Sequence, residues 1–352
     1  MAQVARILVI QPAYLGDAVL TLPLFGRLRD AYPDAELHWL VRAGVDSLFA
    51  EHPWVDRLWI WDKSWRGWWS LQKELRSYRW EGIIVVHRFL RMGVLGLLLP
   101  AHWRITYDKN PLSRLYTYRV PHRFHPNVHE STRVLSLLEP LGLPLALPPM
   151  PWIFFSTEVE NGLSPWIGRR PYFVLSPTSR WRTKEAPFSL WKAFLRAVPS
   201  EYTIYVTGLP SEYHRLQELV GEHPNCYNLA GKLSLLQIAA LLAQAQRLFT
   251  VDSALTHIAS AVGCPTTTVY CSTVPAFGFG PLSPGSEVVE TQEPLPCRPC
   301  GLHGKKSCPK GHFRCGYSLS ESQLLGSLSA APPPTPHTAV SPPPPEDIAP
   351  SL

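Results

Sequence analysis

The stretch FTVDSALTHIASAVGCPTTTVY, residues 249–270, reads as the end of one buried strand, a polar turn, a short helix and a second buried strand. Phe249, Thr250 and Val251 close a β-rich run that starts at Arg247. Asp252 and Ser253 are good N-cap residues, and Leu255, Ile258, Ala259 and Val262 recur at helical spacing. Gly263 stops the helix, Pro265 cannot extend it, and residues 266–270 are nearly all β-branched or aromatic, so the chain re-enters a parallel sheet. A strand, turn and helix in this order aims free backbone N–H groups at the carboxyl edge of the sheet, where phosphates and other anions settle. His257 projects from the first turns of that helix. The same residues also suit a plain helix cap at Asp252 and a packing histidine at position 257, and this stretch alone leaves both readings open.

The N-terminal half repeats the pattern. RILVIQ, residues 6–11, is a continuous apolar run of the kind found in a central parallel strand covered on both faces. After it come Gly16 and Asp17, and then Leu20, Leu24, Leu28 and Ala31 at helical spacing, with Pro23 required to start or kink that helix. Gly16 lets the backbone pass close to a ligand. Asp17 sits where the strand's carboxyl end meets a helix start, so its carboxylate either accepts a proton from a ligand or merely complements the helix dipole. Residues 36–41 and 57–61 read as further strands with a short helix at 45–50 between them, and residues 82–86 as a fourth strand, after which His87, Arg88 and Arg91 stand where a substrate is met. His129, Glu130 and Arg133 open another helix and either hold a sugar or pair with one another. Between residues 59 and 80, Trp59, Trp61, Trp65, Trp68, Trp69 and Trp80 interleave with Lys63, Arg66, Lys73, Arg76 and Arg79. Indoles prefer the lipid interface and cations the anionic headgroups, although an amphipathic helix with its aromatics on the core side explains the same pattern.

Pro144, Pro148, Pro149, Pro151, Pro165 and Pro171 mark a boundary, so domains are expected at residues 1–150 and 172–328, joined by a linker at 151–171. YFVLS, residues 172–176, starts a second sheet. The turn that follows crowds Thr178, Ser179 and Lys184 at the strand's carboxyl end, a phosphate cradle or a solvated basic loop. Residues 203–207 form another strand, and Glu212 in the next helix stands where a ribose is met.

A chain of 352 residues is long enough for two compact α/β lobes, and a net charge of +6 spread along it suits anionic ligands or an anionic membrane surface. No arginine-rich arm or aromatic RNA-binding signature is present, so nucleic acid is not expected as a partner. The longest apolar run, residues 92–101, is too short to span a bilayer, and the N-terminus lacks the pattern of a secretory signal; a cytoplasmic protein is expected. Cys297, Cys300, Cys308 and Cys315 have spacing suited to tetrahedral zinc in a reducing compartment, with His303 and His312 as substitutes. Free thiols, a disulfide pair or an iron–sulfur cluster are weaker alternatives. Cys226, Cys264 and Cys271 read as buried packing residues. Residues 329–352, rich in proline, cannot bury a core and are expected to be disordered or polyproline-like.

The segments RILVIQPAYLGDAVLTLPLFGRLRDAYPDAELHWLV, SPTSRWRTKEAPFSLW, VDSALTHIASAVGCPTTTVYCSTVPA and PLPCRPCGLHGKKSCPKGHFRC, in this order, resemble glycosyltransferase family 9, the heptosyltransferases of the lipopolysaccharide inner core. The resemblance spans roughly residues 5–325. It implies a GT-B architecture of two Rossmann-like domains with parallel sheets facing a central cleft, the first binding the acceptor and the second the nucleotide sugar. By this resemblance Asp17 is the general base, with Gly16, His87 and Arg88 beside the acceptor. Thr178, Ser179 and Lys184 form the diphosphate turn, and Glu212 falls near the ribose. Asp252, Ser253, Ala254, Leu255 and His257 form the segment whose helix start receives the diphosphate, with Ala254 in place of the usual glycine.

The chemistry implied is inverting transfer of a heptose or similar sugar, from ADP-heptose, to a lipid-linked glycan acceptor at the inner face of the cytoplasmic membrane by a monomeric enzyme. No catalytic cofactor is expected, and the absence of any D-x-D sequence argues against a metal-bridged diphosphate. The competing reading is a non-catalytic nucleotide-binding or assembly module of the same fold. A Rossmann dehydrogenase is disfavoured because no G-x-G-x-x-G follows any expected strand.

Overall fold

A computed structural model describes residues 5–167 and 171–328, and the chain divides into two α/β units, the first ending at Phe154 and the second beginning at Phe155. The proline-rich residues 329–352 lie outside the described residues.

The first unit is built on six parallel strands, β1 (Arg6–Ile10), β2 (Glu36–Arg42), β3 (Arg57–Trp61), β4 (Trp80–Val85), β5 (Ala101–Tyr107) and β6 (Tyr118–Val120), in the spatial order β3-β2-β1-β4-β5-β6. Val9 pairs in register with Trp39 on one side and with Ile84 on the other, so β1 is central, and this is why its residues are continuously apolar. Helices α1 (Leu15–Val19) and α2 (Leu22–Ala31) follow β1, and the chain breaks between them just before Pro23, which occupies the second position of α2. Helices α3 (Trp65–Leu75), α4 (Leu90–Leu98) and α5 (Glu130–Leu135) complete the unit, with α3 and α4 covering one face through Trp68, Leu71, Met92 and Leu95. The expected helix at 45–50 is a single 3-10 turn, Asp46–Leu48, and the one opening at Glu130 becomes 3-10 from Ser136 because Pro140 lacks the N–H that α-helical bonding needs.

The second unit repeats the plan with β7 (Tyr172–Ser176), β8 (Thr203–Val206), β9 (Cys226–Asn228), β10 (Arg247–Val251), β11 (Thr266–Tyr270) and β12 (Glu287–Glu290), in the order β12-β11-β10-β7-β8-β9, all parallel. Its helices are α6 (Thr157–Asn161), α7 (Phe188–Ala197), α8 (Tyr213–Gln217), α9 (Leu235–Ala243), α10 (Ala254–Ala261), α11 (Arg314–Tyr317) and α12 (Glu321–Leu325). The proline-rich stretch at 151–171 is partly absorbed by both units: Trp152 is buried in the first, while α6 and the buried Leu163 belong to the second. Cys226, Cys264 and Cys271 are buried, and burial pushes the thiols of Cys226 and Cys264 up to about 12.

In each sheet the strand order reverses direction at one place, between β1 and β4 in the first and between β7 and β10 in the second. Parallel sheets open a crevice beyond the carboxyl ends of the two strands that flank such a reversal, because the connecting helices leave to opposite faces. The segments after β1, β4, β7 and β10 are those that carry Asp17, His87, Thr178 and Asp252.

Candidate active site

At the reversal of the second sheet, β7 ends in Ser176 and delivers Thr178 and Ser179, while β10 ends in Val251 and delivers Asp252 and Ser253. The Lys184 ammonium lies 2.7 Å from Asp252 Oδ2. The same oxygen accepts the Thr273 hydroxyl at 2.6 Å. Asp252 is therefore not the cap of α10. Ser253 takes that place, its Oγ accepting the Leu255 N–H at 3.4 Å, and the aspartate carboxylate is turned toward lysine. Ala254 is the first residue of α10. Its backbone is helical, so alanine is suited to this position and glycine's freedom is not needed. His257 is buried one turn on, its ring centroid 6.1 Å from that of Phe279.

Thr178 donates its hydroxyl to Glu212 Oε2 at 3.0 Å, and the same carboxylate oxygen accepts the Leu209 N–H at 2.7 Å. Glu212 thus sits in a 3-10 turn just ahead of α8, at the carboxyl end of β8, rather than within the helix itself. Ser179 Oγ lies 3.5 Å from the Asp252 carbonyl, which ties the two turns together. Glu185 escapes a reading by motif. Its buried carboxylate accepts the Ser179 N–H at 3.1 Å and pairs with Arg182 at 3.3 Å and Arg215 at 2.6 Å, so it fixes the shape of the turn from beneath. Thr273 is the other participant that sequence alone leaves anonymous; its sole signal is its place at a strand's carboxyl end.

The cysteine-rich segment is packed against this turn. Thr183 and Lys305 exchange backbone and hydroxyl bonds, with Thr183 N–H donating to the Lys305 carbonyl at 3.1 Å and Lys305 N–H donating to Thr183 Oγ1 at 2.8 Å. A Cβ built on Gly304 falls 2.4 Å from Trp181 Cβ and 2.9 Å from Lys184 Cγ, so only glycine fits where this strand of chain crosses the lysine stem. Cys297, Cys300, Cys308 and Cys315, expected as a zinc ligand set, lie near enough to one another for their charges to interact. Among the described residues no group of three or more His, Cys, Asp or Glu side chains is gathered as a metal ion requires. In the metal-free chain Cys300 donates to the Cys297 carbonyl at 3.2 Å, Cys297 Sγ lies 3.7 Å from His312 Nε2, Cys308 is partly exposed, and Cys315 is buried in the hydrophobic core. No disulfide joins any of them.

At the reversal of the first sheet, Gly16 and Asp17 fall in the first turn of α1, both half-buried, and the Thr21 hydroxyl donates to the Asp17 carbonyl at 2.8 Å. Beside them, the His87 N–H donates to the Ile10 carbonyl at 3.3 Å, which holds the segment after β4 against the end of β1. Burial, assisted by the positive charges of Arg88 and Lys63, pulls the His87 imidazole down to about 4, so the ring is neutral at physiological pH. Its Nδ1 is buried without a hydrogen-bond partner among the described residues. Arg88 is exposed. Glu130 and Arg133 pair with each other at 2.6 Å, and His129 caps α5, so those three are structural.

Two parallel sheets of identical strand order, each presenting polar groups at its own reversal, are the GT-B architecture. Residues 68–307 match the profile of Glycosyltransferase family 9 (heptosyltransferase), and the chain belongs to that family. It is 28% identical over 344 residues to lipopolysaccharide heptosyltransferase 1 of Pseudomonas aeruginosa, covering 91% of this chain and 93% of that one. In fold it is similar to the glycosyl transferase family 9 protein of Veillonella parvula, with a TM-score of 0.79 at 20% identity over 94% of this chain and 98% of that one. It is also similar to the ADP-heptose LPS heptosyltransferase II of Escherichia coli, with a TM-score of 0.75 at 21% identity over 93% and 98%. Among the described residues no helix is long and apolar enough to cross a membrane.

Proposed function

We propose that this protein transfers a heptose, with inversion, from ADP-heptose to a lipopolysaccharide core acceptor. The observation that supports this best is the Lys184–Asp252–Thr273 cluster at the reversal of the second sheet, a cation held by hydrogen bonds beside the start of α10. A leaving diphosphate needs such a place, because one further negative charge develops on it as the sugar departs and fixed dipoles meet that charge without reorganisation. Thr178, Ser179 and Lys184 bind the diphosphate with the N–H groups of Ser253, Ala254 and Leu255. His257 lines the back of that site, and Glu212 receives the ribose hydroxyls. The donor is assigned from the relatives, whose names specify heptose transfer, and from the E. coli structure, whose name specifies ADP-heptose.

In the reaction the acceptor hydroxyl loses its proton to the Asp17 carboxylate as its oxygen forms a bond to the anomeric carbon. The bond from that carbon to the diphosphate oxygen breaks, and its electron pair leaves with ADP. The transition state has oxocarbenium character, and attack from the opposite face inverts the centre. Gly16, neutral His87 and Arg88 hold the acceptor, the arginine favouring an anionic one. No step requires a metal or other cofactor. The acceptor is a lipid-linked glycan, met by a monomer at the inner face of the cytoplasmic membrane.

The test is incubation of the purified chain with ADP-heptose and a deacylated core oligosaccharide, followed by detection of ADP and of the heptosylated product by mass spectrometry. Product is expected. Tight ADP binding with no product under any acceptor assigns the chain to the alternative, a nucleotide-binding module that has kept the fold.

A further inference from the structure

The tryptophan-rich stretch at 59–80 divides in the folded chain into two populations. Trp59, Trp61, Trp68 and Trp80 are core residues beneath α3. Trp65 and Trp69, one turn apart on the opposite side of the same helix, are 61% and 59% exposed. Next to them, at the start of α4, Phe89 is 71% and Leu90 52% exposed. Both helices begin at the carboxyl edge of the first sheet and pack on the same face of it, so these apolar side chains form one rim.

Cations are threaded through that rim. The Arg91 guanidinium lies 4.0 Å from the centre of the Trp65 ring and 5.3 Å from that of Trp61, and it donates to the Lys63 carbonyl at 3.5 Å. Lys63 Nζ in turn lies 5.2 Å from the centre of the exposed Tyr14 ring. Arg66 adds a further exposed charge in the first turn of α3, and the nearby Asp62 is occupied in binding the N–H and hydroxyl of Ser64. Exposed indoles alone point to no particular partner. Indoles ringed by cations match an anionic bilayer, where the rings enter the headgroup layer and each cation adds its own attraction.

We propose that the rim formed by Trp65, Trp69, Phe89 and Leu90, with Lys63, Arg66 and Arg91, docks on the surface of an anionic lipid bilayer. The docking deepens the acceptor reading above, and rests on it, by bringing the carboxyl edge that carries Gly16, Asp17 and His87 down to the membrane from which a lipid-linked acceptor projects.

The experiment uses the full chain with sedimenting vesicles of phosphatidylcholine, with and without phosphatidylglycerol. Binding is expected only to the anionic vesicles, and it is expected to weaken steeply as salt shortens the screening length. The Trp65→Ser, Trp69→Ser double variant, whose changed side chains are exposed and leave the core intact, should bind those vesicles about tenfold more weakly or worse. Its thermal unfolding and its transfer to a deacylated acceptor should match the parent. Equal vesicle binding by parent and variant, or no binding to anionic vesicles, overturns the docking. So does self-association that the double variant abolishes in the absence of lipid, which assigns the face to a second copy. Failure of the sugar-transfer reading shows itself separately, as loss of product with the soluble acceptor while vesicle binding persists.

Discussion

The Lys184 ammonium and the Asp252 carboxylate meet at 2.7 Å with side chains only 15% and 9% exposed, joining the turn after β7 to the turn after β10. A pair this sheltered is expensive to break from one side only, because the survivor is left charged in a poor solvent, at a cost of about 3 kcal/mol. Lys184→Ala is therefore expected both to lower the melting temperature and to weaken ADP binding, the latter by about 10- to 100-fold for a lost charge-assisted bond. The Lys184→Ala, Asp252→Asn double variant separates the two effects. Its stability should return most of the way, since Asn still accepts from Thr273, while ADP affinity stays low. Calorimetry with ADP beside thermal unfolding reads both, and recovery of affinity in the double variant refutes a direct role for the lysine.

The central strands are legible in the sequence because they are covered on both faces: RILVI, YFVLS, RLFTV and TTTVY are continuous apolar or β-branched runs. Of the edge strands β3 is legible at residues 57–61, but β6 and β12 are not. YRV at β6 and EVVE at β12 are short, half polar and paired on one side only, so neither carries a periodic signal, and β5 hides behind the polar AHWR that opens it. The turns that carry Asp17, Thr178 and Asp252 were readable from their positions at strand ends. What those side chains touch was not, since aspartate before a helix is equally a cap, and its distant partner Lys184 leaves no local trace. Cysteine spacing likewise points to a ligand set, but the burial of Cys315 and the bond from Cys300 to a carbonyl leave no mark in that spacing.

Gly304 tests whether the cysteine-rich segment matters to the nucleotide site. A methyl group there meets Trp181 Cβ and the Lys184 stem, neither of which is a free chain end. Gly304→Ala is expected to displace Lys184 and weaken ADP binding by about fivefold to fiftyfold, in line with the overpacking cost of about 1–3 kcal/mol. Gly221→Ala, where an added Cβ meets nothing within 4 Å, is the matched control and should bind ADP as the parent does. Equal affinity in both variants would mean the segment has no hold on the lysine.

The first unit should be acid-sensitive through His52. Its ring is buried, with Nε2 donating to the Trp152 carbonyl at 2.7 Å and Nδ1 accepting the Trp54 N–H at 3.2 Å, and burial pulls the imidazole down from 6.5 to about 4. Above about 6.5 both folded and unfolded chains are neutral at this site, and the fold keeps its full stability. Between 6.5 and 4 the unfolded chain takes up a proton that the folded ring refuses, so stability falls as the pH falls, by up to about 3 kcal/mol. His52→Gln cannot titrate. Urea midpoints at neutral pH and near pH 4.5 should therefore differ less in the variant than in the parent, although His87 and His122, also held near 4, keep some of the slope. An unchanged difference would show that His52 is not a source of it.

Asp17 carries the proposed chemistry, and the bond that its backbone makes survives a change of side chain. Its backbone carbonyl, not its carboxylate, takes the Thr21 hydroxyl that bridges α1 to α2, so Asp17→Asn keeps that bond and the shape of the turn. An amide of the same size cannot accept the acceptor's proton. Transfer should fall by about 10²- to 10⁴-fold, the usual worth of a positioned base. ADP affinity should not move, because every group assigned to the nucleotide belongs to the second sheet. Raising the pH should rescue part of the rate in the variant, as hydroxide replaces the missing base, whereas loss of an acceptor contact would give no such rescue. Turnover equal to the parent at neutral pH removes Asp17 from the mechanism and returns the search for a base to the neutral imidazole of His87, whose Nδ1 has no partner among the described residues.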